Sequence, residues 1–146
     1  MTRQEAESYS WTIYRYACPT VRYRQILAAL EDAGVRYVVV GSMATALHGA
    51  AGEPRDLDLV IDRAYGGAVT HILMQHGFCP SIPLALHELT VLRFVTSEGL
   101  ELDVFARFAV PFEELFARSE LRNYDGLAVR TASAADLILA RERTGR

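Results

Sequence analysis

The chain has 146 residues, 51% of them hydrophobic, with a net charge of −3 at pH 7, which bounds it to one globular domain burying about 68% of its unfolded surface. All 15 basic residues are arginine and none forms a block, which excludes a Walker A loop, lysine-dependent chemistry and tight sequence-independent nucleic-acid binding, though not a local arginine patch. No apolar run reaches roughly 18 residues and the N-terminus lacks a basic segment followed by an apolar core, so no membrane span or signal peptide is expected and the chain reads as cytoplasmic.

Residues 1–20 read as an N-terminal arm whose cluster Tyr9, Trp11, Tyr14 and Tyr16 is too aromatic for a disordered tail. Three roles suit it: covering this domain's own surface, contacting a second copy, or stacking on a base. Residues 21–146 form the domain proper. Between Val21 and Ala33, Val21, Ile26, Leu27 and Leu30 recur on one helical face, and Gly34 is the residue type favoured just past a helix end. Arg36 to Val40 reads as a strand, continuously apolar from Tyr37, as expected when both faces are covered. Gly41-Ser42 leads into a short helix, Ser42 to Leu47, followed by a loop from Gly49 to Pro54. His48, at the helix end, reads as a structural residue holding the loop by a hydrogen bond, with contact to a nucleotide or an aspartate as the alternative. A second strand follows, carrying Asp56 and Asp58.

Tyr65 to Gln75 is a helix with Val69, Ile72 and Leu73 on one face, capped by Asp62 or the residues after it and ended by Gly77. Cys79 to Leu86, with Pro80 and Pro83, reads as a loop near the site mouth that lines the substrate pocket. Cys18 and Cys79 are too few for a disulfide framework and read as inert packing residues. Leu89 to Thr96 and Leu100 to Phe105, joined by Ser97-Glu98-Gly99, form a β-hairpin. Its second strand alternates Leu100, Leu102 and Val104 against Glu101, Asp103 and Phe105. Phe112 to Ala117 is a short amphipathic helix behind Pro111, Asn123 to Gly126 is a turn between two extended pieces, and Ser133 with Asp136 starts a helix bearing Leu137, Ile138 and Ala140.

The acids carry the chemistry. Side chains at i and i+2 of a strand share a face, so Asp56 and Asp58 point one way while Leu57 and Leu59 point the other. Like charges ~4 Å apart at an effective dielectric near 20 repel by about 4 kcal/mol, so the pair should share a proton or bind a cation. Carboxylate oxygens without Cys or His close by favour Mg2+ or Mn2+ over zinc. Glu101 and Asp103 repeat the pattern. Gly41 permits close backbone approach, and Ser42 with the amides opening the next helix can meet a phosphate.

Gly41-Ser42, thirteen intervening residues and then Asp56-Leu57-Asp58-Leu59 resemble the signature of the DNA polymerase beta-like nucleotidyltransferase superfamily. Within it, Ala46-Leu47-His48-Gly49 is similar to a sequence of the small bacterial nucleotidyltransferases grouped with AbiEii-type abortive-infection toxins. The resemblance implies that the Gly-Ser turn holds the nucleotide's phosphates, that Asp56 and Asp58 hold Mg2+, and that Asp103 is the third carboxylate, binding metal and able to act as general base. Glu101 is its backup. Residues 133–146 resemble the family's closing helix, with Arg141 where relatives often carry Lys. The chain departs from the pattern at Gly52 and Pro54, where many relatives have Arg and Thr. Arg55 would point away from Asp56 in a regular strand. Many relatives also continue beyond residue 146, so little room is expected for an acceptor-binding module.

The reading is therefore a single α/β (α+β) domain with a mixed central sheet flanked by helices, the site lying where the acid-bearing strands meet the Gly-Ser turn. Its expected activity is Mg2+-dependent transfer of a nucleoside monophosphate from an NTP to a hydroxyl of tRNA, a protein or a small molecule. A homodimer partner or a cognate antitoxin goes with that reading. The alternative is a nucleotidyltransferase-like module that binds nucleotide or a partner in regulation. A metal-dependent phosphohydrolase is disfavoured because no His-Asp metal motif is present.

Overall fold

Four consecutive apolar residues, Tyr37–Val40, form β1, and all four are buried. An all-apolar strand suits only a position inside a sheet covered on both faces. The computed structural model describes residues 2, 18–52, 54, 56–85 and 89–144. The aromatic cluster Tyr9 to Tyr16, Glu53, Arg55, Leu86 and the last two residues lie outside that description.

Around β1 the chain runs α1 (Pro19–Asp32), β1, α2 (Gly41–Leu47), β2 (Leu57–Ile61), a 3-10 turn (Arg63–Tyr65), α3 (Gly66–Gln75), β3 (Cys79–Pro80), β4 (Val91–Val95), β5 (Glu101–Phe105), α4 (Phe112–Arg118), β6 (Glu120–Tyr124), β7 (Leu127–Thr131) and α5 (Ala134–Thr144). The strands form one seven-stranded sheet in the order β3-β4-β5-β2-β1-β7-β6. Two of its pairings, β2 with β5 and β1 with β7, are parallel and the others antiparallel, so the sheet is mixed as expected.

Alternation along each strand divides the core in two. Tyr37, Val39, Leu57, Leu59, Ile61, Leu102 and Val104 pack against Tyr23, Ile26, Leu27 and Leu30 of α1 and Val69 and Leu73 of α3. Each of these side chains contributes about 1.5–3 kcal/mol by leaving water. On the opposite face Val38, Val40 and Val60 meet Val110, Leu115 and Ala132, with Phe105, Phe108 and Phe112 partly buried around them. Asp58 and Asp103 share the strand phase of Val60 and Phe105 and so belong to this second face.

Local signals set most boundaries. Pro19 opens α1, where its fixed φ and missing N–H cost nothing. The Ser133 hydroxyl accepts from the Asp136 N–H at 3.1 Å, the cap read from the sequence for α5, whereas the Asp62 carboxylate, which accepts from the Ala64 N–H at 3.1 Å, caps the 3-10 turn and not α3, whose own start has no side-chain cap. Asp125 and Gly126 take φ of 48° and 85°, the two-residue turn that matches the twist of β6 and β7.

Three expectations are corrected. Cys79-Pro80 is not loop but a short edge strand paired with Val95 and Phe94, a place where proline's missing donor is tolerated. Cys79 is exposed, not a packing residue. Asp56 lies one residue before β2, which begins at Leu57, so the two acids do not stand on one strand. Among the described residues, no helix is long and apolar enough to cross a membrane.

Candidate functional site

At the end of β1 the backbone turns at Gly41, with φ of +70°, directly into α2. Val40 is the antiparallel partner of Asp58, which brings the turn against that carboxylate. A Cβ added at Gly41 would collide with Asp58 Oδ2 and lie 3.2 Å from its Cγ. Glycine is therefore required here for both conformation and space. Ser42 is exposed beside it, and the Thr45 hydroxyl donates to the Gly41 carbonyl at 3.1 Å, steadying the turn.

Parallel register places Asp103 of β5 beside Asp58 of β2, on strands about 4.8 Å apart. Two acids expected at the site thus come together, through tertiary pairing. The Asp103 carboxylate is gripped by Arg93, its antiparallel neighbour on β4, with Nε donating to Oδ1 at 2.9 Å and Nη2 to Oδ2 at 3.2 Å. Arg93 Nη1 also lies 3.4 Å from Glu101 Oε2. The hydrogen bonds to Asp103, and then the charges of Asp103 and Glu101, hold the guanidinium pKa above its ordinary value, and Asp56 adds a smaller push the same way. Asp56 itself is exposed. Its charge reaches the Tyr23 hydroxyl, whose pKa is raised first by burial and next by Asp56.

The all-oxygen donor set of Asp56, Asp58 and Asp103 suits a hard divalent cation. Among the described residues, however, no three His, Cys, Asp or Glu side chains converge closely enough to hold one. The cation facing Asp103 is Arg93.

Gly41, Ser42 and Asp58 line a cavity of about 790 Å³. Arg107, Arg141 and Arg143 line it too, with an apolar wall of Val91, Phe105, Phe108 and Leu137. Arg143 donates to the Ala109 carbonyl at 2.7 Å. Among the described residues, the Arg107 and Arg141 guanidiniums have no hydrogen-bond or ion-pair partner. A cavity lined by a carboxylate, arginines and apolar side chains can receive a phosphate chain with its counter-ion and a base. Residues 79–85, expected to line the pocket, do not reach it.

The helix carrying two of these arginines is firmly anchored. Arg118 Nη2 donates to Asp136 Oδ1 at 2.8 Å and Nε to Oδ2 at 3.0 Å, and Asp136 is 3% exposed. His48 Nε2 donates to the Ala132 carbonyl at 2.8 Å, tying the end of α2 to the start of α5. His48 is therefore the structural hydrogen-bonding residue of the first reading, and it does not line the cavity.

Residues 22–105, more than half of the chain, match the family model of the aminoglycoside-2''-adenylyltransferases. The chain belongs to this family. The aminoglycoside-2''-adenylyltransferase match makes it a nucleotidyltransferase enzyme and supports the superfamily resemblance; it does not single out the AbiEii-type subgroup. Solved structures agree in fold. A Thermotoga maritima protein assigned as a nucleotidyltransferase superposes with a TM-score of 0.66 at 17% identity, over 100% of this chain and 88% of that one. The lincosamide antibiotic adenylyltransferase LnuA, with lincomycin bound, gives 0.63 at 18% identity over 81% and 82%. ANT(2'')-Ia in complex with adenylyl-2''-tobramycin gives 0.60 at 19% identity over 78% and 68%. No curated protein matches the chain in sequence.

Within the aminoglycoside-2''-adenylyltransferase framework, sequence reading passes over Arg93, Arg107 and Arg143. Arg93 carries a usable signal: it and Asp103 are equidistant from Glu98, the centre of the expected hairpin, so the hairpin alone sets them opposite. Arg107 and Arg143 carry none, because separate segments bring them together.

Proposed function

We propose that this protein transfers a nucleoside monophosphate, AMP by its family's name, from an NTP to a hydroxyl of a small cationic acceptor of the aminoglycoside type. The observation that carries the reading is one cavity lined by the Gly41-Ser42 turn, Asp58 and three arginines. In this reading Gly41 and Ser42 position the β- and γ-phosphates, Arg107 and Arg141 offset the charge of the triphosphate, and the base lies along Phe108 and Leu137. Asp56, Asp58 and Asp103 would be the residues to hold a divalent cation, Mg2+ or Mn2+, drawn together by the ion that arrives with the nucleotide, and when bound it would offset the charge of the in-line transition state. The acceptor oxygen bonds to the α-phosphorus, the bond to the bridging oxygen breaks, pyrophosphate leaves, and Asp103 takes the hydroxyl proton. Glu101, Asp103 and Asp56 together make an anionic surface suited to a polycationic acceptor.

A tRNA or protein acceptor belongs to the toxin form of the reading, which rests on Ala46 to Gly49 and would add a cognate antitoxin; a second copy of the chain is the simpler protein partner. A regulatory nucleotide-binding module has one observation in its favour, the grip of Arg93 on Asp103.

The test offers the protein, Mg2+ and each of the four NTPs an aminoglycoside, a lincosamide or bulk tRNA, and follows pyrophosphate release and acceptor labelling. Asp103→Ala should lose turnover more completely than nucleotide binding, because its proton acceptance acts in the transition state. Ordinary NTP binding with no labelled acceptor, and equal binding by Asp103→Ala, would replace the transferase reading with the regulatory module.

A further inference from the structure

Arg93 uses both oxygens of Asp103. A guanidinium that donates to both Oδ1 and Oδ2 takes one lone pair of each oxygen and sets a full positive charge where a cation would have to approach the carboxylate. The pair is not sealed in: the Arg93 side chain is 50% exposed and that of Asp103 21%. Arg93 also has a second seat ready, since its Nη1 already stands 3.4 Å from Glu101 Oε2, two residues along β5 on the same face. Asp103, Glu101 and Asp56 all act electrostatically on this one arginine.

We infer that Arg93 is the resident counter-cation of the acid cluster, a positioning residue that a divalent cation must displace from Asp103 toward Glu101 before the third carboxylate can serve transfer. The inference rests on the metal-dependent reading above. Arg93 and the cation compete for one carboxylate, so each weakens the other by the same factor. The chain alone then holds a divalent ion weakly, and a nucleotide triphosphate that brings its own ion supplies the extra affinity needed to release Asp103. Glu101 becomes the arginine's alternative anchor instead of a spare metal ligand.

The experiment titrates the nucleotide-free protein with Mn2+ and reads free Mn2+ by electron paramagnetic resonance, independently of turnover. Arg93→Gln should bind Mn2+ about tenfold more tightly than wild type, a coupling of ordinary size. Arg93→Lys, which keeps the charge and loses the fork, should fall between and carries the test if Arg93→Gln does not fold. Adding Asp103→Asn to Arg93→Gln should erase the gain. Arg93→Gln binding no more tightly than wild type, or a gain that survives Asp103→Asn, overturns the displacement while leaving the metal-dependent reading standing. Failure of every variant and the wild type to bind Mn2+ overturns both.

Discussion

The carboxylate of Asp58 occupies the space that a Cβ on Gly41 would need. The turn from β1 into α2 and the acid on β2 are thus mutually exclusive with any side chain at position 41, which locks the phosphate-binding candidate against the metal-binding candidate. Gly41→Ala should cost about 1–2 kcal/mol for its positive φ alone and more for displacing Asp58. Thermal unfolding should show the loss, and calorimetry should show NTP binding reduced far beyond what the change in stability explains. A fully active Gly41→Ala protein would refute the arrangement.

Divalent-ion binding to the native state alone should add about 2.7 kcal/mol at a hundredfold excess of Mg2+ or Mn2+ over Kd. Asp58→Asn should abolish that gain in a thermal melt while folding normally. Asp56→Asn tests whether the exposed acid outside β2 contributes, and an unchanged metal response there would remove Asp56 from the site.

Arg107 and Arg141 line the cavity from different segments and have no carboxylate to satisfy among the described residues. Their role as partners for a phosphate chain predicts that Arg107→Ala and Arg141→Ala each weaken ATP binding by about 1 kcal/mol, roughly fivefold, as expected for exposed charge pairs. Adenosine binding should be unaffected, and the ATP deficit should shrink as salt is raised. Equal losses for ATP and adenosine would argue against a phosphate role.

The Arg118 fork satisfies both oxygens of Asp136, a carboxylate 3% exposed. Arg118→Met leaves that charge buried without its partner and should cost about 2 kcal/mol, less than for a fully buried pair because Arg118 itself is half exposed. Urea denaturation should show a lower midpoint at unchanged slope. Adding Asp136→Leu should recover part of the loss, since the penalty lies in the orphaned charge.

Much of the local structure was legible because its causes are local. The buried run Tyr37 to Val40, the cap at Ser133 and the Asp125-Gly126 turn each depend on neighbours within a few residues, and each forms where expected. The Gly41-Ser42 turn, Asp58 and the face of Asp103 followed from period-two alternation and the motif's spacing. Alternation does not say where pairing begins, so it places Asp56 on a strand that in fact starts at Leu57. Cys79-Pro80 became strand only because β4 lay beside it to pair with.

The sequence by itself determined the two acids' identity, their faces and, through the hairpin centred on Glu98, the opposition of Arg93 to Asp103. Tertiary structure alone decided that Asp58 stands beside Asp103, since that contact needs the parallel register of β2 and β5 across an intervening helix, a 3-10 turn and two other strands. It also decided that Arg107, Arg141 and Arg143 line the same cavity as the Gly41 turn. Hydrophobic burial on both sheet faces fixes that register, because a slip by one residue would send every core side chain of β2 to the wrong side, and no local pattern in the chain records which strand it will meet.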